Sequence, residues 1–75
     1  MNTPTATRTI EMKFQVYALP IGNGFVLQIE NQHGRKWQNK ETVFDYGNAM
    51  EDVMVLSEWL NSGHKLENKD SWKEV

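Results

Sequence analysis

The stretch Thr9 to Glu30, TIEMKFQVYALPIGNGFVLQIE, decides the fold. Ile10, Met12, Phe14, Val16 and Ala18 alternate with Glu11, Lys13, Gln15 and Tyr17. That two-residue period is the signature of a strand with one buried and one wet face. Pro20 to Gly24 then supplies Gly and Asn, residues that tolerate the positive φ of a tight connection. Beyond it Phe25, Leu27 and Ile29 alternate with Gln28 and Glu30, so the two runs predict a hairpin.

Downstream, Asn31 to Gly34 reads as a second turn, and the chain resumes as RKWQNKETVF. Trp37 and Val43 share one parity while Phe44 has the other, which predicts a bulge or break near Asn39 to Glu41. In DYGNAMED, Asn48 followed by Glu51 has the spacing of a capping box with Asn48 as the cap; the alternative is an earlier start capped by Asp45. Gly63 is the natural helix stop. Within the helix, Ala49, Val53, Leu56 and Leu60 fall on one narrow stripe, the width needed to pack on a sheet.

The expected architecture is α+β: a three-stranded antiparallel sheet, wet on one face, packed on one C-terminal helix. Residues 1–8 read as a flexible arm, 9–63 as a single βββα domain and 64–75 as a polar tail. That tail is apolar only at Leu66, Trp72 and Val75, and reads either as mobile or as a strap docking through Trp72.

Composition narrows the function classes. A chain of 75 residues is near the lower size at which one hydrophobic core suffices without metal or disulfide. There is no cysteine, hence no thiolate cage, which fits a cytoplasmic setting. No run approaches the length of a membrane span. Net charge is −2, but residues 1–40 carry +3 and residues 41–75 carry −5. The molecule is bipolar, with neither end charged densely enough to name a partner by itself.

Catalysis needs a nucleophile with a base, paired carboxylates in a cleft, or a metal. His33 sits in a turn and His64 just past the helix, about thirty residues apart, with no ligand-like spacing. The chain therefore reads as no enzyme, with no catalytic residues, no cofactor, no metal and no small-molecule substrate. What remains is a surplus of apolar residues on the helix. Met50 and Met54 extend the core stripe along one flank, Val55 and Trp59 along the other, and Glu51 and Glu58 form the polar back. One helix on one small sheet has no room to bury all of them, and Met and Trp suit contact surfaces. These six residues are the expected protein-binding site, for a separate protein or for a second copy in a homodimer. The alternative is nucleic-acid binding through the sheet by Lys13, Arg35, Lys36, Trp37 and Lys40, which interleave basic and aromatic groups.

Two resemblances attach to these residues. The β-β-β-α order over residues 10–61 has Gly34 and Trp37 before a strand into Thr42, Val43, Phe44 and Asp45, then an Ala-led helix. It resembles the AP2-type and integrase arm-binding DNA domains. Those domains carry Arg and Trp on the sheet face, where this chain has Gln15, Tyr17, Gln28 and Glu30. The small size, lack of cysteine and acidic apolar helix also resemble small phage and prophage accessory proteins, host-takeover and anti-CRISPR inhibitors among them. That resemblance implies a phage-encoded inhibitor that occupies a host protein's surface in the host cytoplasm.

Overall fold

The structure is a computed structural model and describes residues 12–75. Strands β1 (Phe14–Ile21), β2 (Gly24–Asn31) and β3 (Lys36–Val43) precede helix α1 (Tyr46–Asn61). A 3-10 turn at Lys69–Ser71 then leads into a short strand, β4 (Trp72–Glu74). The four strands form one antiparallel sheet in the order β1-β2-β3-β4. The arm and Ile10 lie outside the described residues.

The fourth strand corrects the expected three-stranded sheet, and it is supplied by the polar tail that reads either as mobile or as a strap docking through Trp72. Trp37 pairs with Glu74, Gln38 with Lys73 and Asn39 with Trp72, and the Val75 N–H donates to the Lys36 carbonyl at 3.0 Å. Helix α1 is therefore followed by a strand. A three-residue strand is too short to show an alternating pattern, and its residues WKE show only one apolar side chain.

The hairpin forms as expected. Ile21 pairs with Gly24 across a two-residue loop, and Gly22 at its first position has φ 58° while Asn23 keeps a negative φ, the pattern of a type II′ turn. At Gly24 a Cβ would lie 2.6 Å from Thr42 Cγ2 and 3.0 Å from Phe44 Cδ1, so close approach of β3 excludes a side chain. The expected bulge is also present. Val26 pairs with Thr42 and Gln28 with Gln38, so Asn39 to Glu41 stand opposite Leu27 alone. The Asn39 carboxamide oxygen accepts the Glu41 N–H at 2.8 Å within this bulge. The excess of two residues preserves parity, which keeps Trp37 and Val43 on the same face.

The core centres on β2. Among the described residues the buried apolar side chains are Val26, Leu27, Ile29, Ala49 and Leu60, three of them on that strand. Leu27 and Ile29 point toward the helix, and Val26 and Gln28 toward the open face. Gln28 was expected to be wet but is only 9 % exposed. Its row across the sheet is Tyr17, Gln28, Gln38, so the flanking side chains cover it, and its Nε2 donates to Gln38 Oε1 at 3.4 Å. Beside it the Tyr17 hydroxyl donates to Glu30 Oε1 at 2.7 Å. This bond, together with partial burial and the carboxylate charge, raises the Tyr17 pKa above its ordinary value.

The helix begins earlier than the Asn48 capping box suggests. Asp45 is the cap, its Oδ2 accepting the Asn48 N–H at 2.8 Å, because that oxygen fills the same acceptor role one turn sooner. The other end closes on Gly63 at φ 96°, with Gly63 N–H donating to Leu60 O and His64 N–H to Trp59 O, a Schellman motif.

Candidate functional site

The core stripe of α1 packs as its period requires, with Ala49 and Leu60 buried and Val53 and Leu56 half-buried. The surplus residues stay largely in solvent. Met54 is 69 % exposed, Val55 62 % and Met50 37 %. Tyr46, Met50 and Met54 stand at intervals of four, so they line up along one side of the helix. Met12, 58 % exposed, lines the same shallow depression as Met54 and continues that ridge off the helix. Sequence reasoning missed Tyr46 and Met12, because Tyr46 precedes the expected start and Met12 was assigned to a buried strand face. Tyr46 also meets Phe25 edge to face at 5.4 Å, which anchors the ridge to the sheet.

Of the six expected protein-binding residues, Met54, Val55 and Glu58 line one shallow depression with Met12, and Glu51, Val55 and Trp59 line another. Glu51 and Glu58 are exposed along the back, Val55 lies past them, and Trp59 sits on the opposite flank from Met54. Trp59 is engaged: its Nε1 donates to the Lys65 carbonyl at 2.8 Å, and its ring stacks on His64 with centroids 3.9 Å apart. It fastens the segment after the helix rather than standing free.

That segment encloses a cleft of about 680 Å³ against the helix side of the sheet. Phe14, Ile29 and Leu60 line it, together with Trp37, Leu66 and Trp72. At one end Arg35 donates to both carboxylate oxygens of Glu74, at 2.7 and 2.9 Å, and lies over the Trp37 ring at 5.1 Å. The bidentate bond, and secondarily the guanidinium charge, holds the Glu74 pKa below the ordinary carboxylate value.

Of the residues in the nucleic-acid alternative, Lys13 and Trp37 line this cleft and Arg35 lies over Trp37, while Lys36 and Lys40 stand apart from them. Trp37 faces the helix side, Lys36 pairs across from Glu30 on the open face, and Arg35 is taken up by Glu74. Lys40 is exposed in the bulge and Lys13 precedes β1. Among the described residues no three His, Cys, Asp or Glu side chains gather as a metal-ligand set, and no helix is long and apolar enough to cross a membrane. His64 is stacked on Trp59, and the His33 N–H donates to the Asn31 carboxamide within its turn.

Comparison with protein-family models, with curated proteins and with solved structures gives no match for this chain. Its function is therefore argued from its own residues.

Proposed function

We propose that this protein is a non-catalytic interaction module that binds another protein through the ridge Tyr46, Met50, Met54 and Met12. The exposure of Met54, in line with three other exposed apolar side chains, carries the reading. Contiguous apolar surface on a small domain is costly to leave in water and is characteristic of contact sites. Methionine adapts its shape to a partner, and Glu51 and Glu58 beside the ridge favour a partner whose apolar groove has a basic rim. The finer reading, that the chain is a phage-type inhibitor acting on a host protein in the cytoplasm, is drawn from its size, its cysteine-free composition and the resemblance noted above. The homodimer alternative uses the same ridge. The nucleic-acid alternative has less support, since Lys36 and Trp37 face opposite sides of the sheet and Arg35 is held by Glu74.

The test is affinity capture from bacterial lysate with nuclease present, comparing the wild-type chain with Met54→Asp and Met50→Asp. A stoichiometric protein retained by wild type and lost with both variants, while their melting stays unchanged, supports the reading. Retention that survives both substitutions, or that nuclease abolishes, overturns it. Self-association lost with the same substitutions assigns the ridge to a homodimer.

A further inference from the structure

The cleft behind the helix C-terminus is distinct from the exposed ridge and independent of it. We propose that it binds a small amphipathic anion, a carboxylate carried on a hydrocarbon chain. Its volume of about 680 Å³ lies within the range of pockets that hold small ligands, roughly 300–1,000 Å³. The interior is apolar: Ile29 and Leu60 form its floor, and Trp37, Leu66 and Trp72 its walls. Such a surface favours a chain or ring over a polar solute.

The rim decides the sign of the head group. Lys13 enters from before β1, Lys65 from after α1 and Lys69 from the 3-10 turn, so three separate elements contribute a lysine to the lining of one cleft. Among the described residues Glu74 is the only acid lining it, and both its oxygens are occupied by Arg35. Among the described residues Arg35 and Glu74 make the only ion pair, so the three lysines have no carboxylate partner there. An anion at the mouth meets three lysines that make no ion pair among the described residues, Glu67 and Asp70 of the same segment standing outside the lining, while its chain enters the apolar interior. The rest of the helix surface repels it, since Glu51, Asp52 and Glu58 are exposed there. The wall is built to persist: the Trp59 bond to the Lys65 carbonyl, the Trp59 stack on His64 and the pairing of β4 hold residues 64–74 in place.

The experiment titrates the full chain with decanoate, decanol and decyltrimethylammonium, three ten-carbon chains differing in head-group charge. Tryptophan fluorescence and backbone amide shifts report the binding. Decanoate is expected to bind saturably, about tenfold or more tighter than decanol, with shifts centred on Trp37, Trp72 and residues 64–69. The double substitution Lys65→Glu with Lys69→Glu is expected to remove that advantage while amide dispersion stays native, because both side chains are exposed. Equal binding of decanoate and decanol, preference for the cation, absence of saturable binding, or shifts centred on Met50 and Met54 each overturns the proposal. The comparison of head groups on the wild-type chain holds even if the double variant fails to fold.

Discussion

The Asn61 carboxamide grips Phe14 from both sides: Oδ1 accepts the Phe14 N–H at 2.9 Å, and Nδ2 donates to the Phe14 carbonyl at 3.1 Å. The same oxygen accepts the Lys13 N–H at 2.8 Å, and the same nitrogen reaches Ser57 O at 2.9 Å. Among the described residues β1 is an edge strand, and its first backbone groups have no neighbouring strand on the outer side. One side chain from the last turn of α1 supplies what that strand would have supplied.

Asn61→Ala leaves those groups to water and to partial burial. The expected loss is roughly 1–3 kcal/mol, the range for orphaning partly buried polar groups. Urea unfolding checks it: the midpoint falls with the slope unchanged. An unchanged midpoint would show that solvent replaces the carboxamide at no cost.

Gly24 predicts an overpacking defect. Gly24→Ala sets a methyl against Thr42 Cγ2, 2.6 Å away, and Val43 O, 3.0 Å away, and should cost about 1–3 kcal/mol. Adding Thr42→Ser removes the nearer methyl and should recover part of the loss. A double-mutant cycle measures the coupling, and strict additivity would mean that the β2–β3 contact yields elsewhere.

Acid should weaken the hold on β4 slightly. The folded pKa of Glu74 lies below its unfolded value, so its pairing with Arg35 stabilises the chain above the ordinary carboxylate range. That contribution is lost as pH falls through the depressed folded value. Wild type should exceed Glu74→Gln in stability at neutral pH, by a small margin because both groups are solvent-exposed. The two should converge on acidification. A gap that persists at low pH would assign the effect to packing on Trp37 instead of charge.

The two helix flanks should respond differently to truncation. Met54→Asp touches an exposed side chain and should change stability by no more than about 0.5 kcal/mol. Trp59→Ala removes the indole bond to Lys65 and the stack on His64, and should cost about 1–2 kcal/mol. Amide exchange locates the damage: protection should fall first in residues 64–75. Equal effects of the two substitutions would mean that the flanks are packed alike.

The elements legible in the sequence are those whose signal is a local period. The alternation through Phe14 to Ala18 and Phe25 to Ile29, the Gly22 turn, the bulge at Asn39 to Glu41 and the stripe Ala49, Val53, Leu56 and Leu60 all follow from spacing along one segment. Backbone geometry repeats within each element, so neighbours in sequence suffice to reveal it. The surplus on the helix was legible for the same reason, since a count of apolar faces needs no partner.

Only the tertiary structure decided the rest. The grip of Asn61 on Phe14 joins residues 47 apart through a side chain that has no periodic signature. Gln28 is buried by Tyr17 and Gln38 on adjoining strands, and Trp59 is drawn to the tail by a carbonyl six residues on. β4 is too short to show a pattern, and pairs because β3 offers an open edge with Trp37 and Asn39 beside it. The cleft arises where β1, β2, β3, the end of α1 and the returning tail meet. Periodicity fixes which side of an element faces inward; which distant groups meet there depends on how the elements pack.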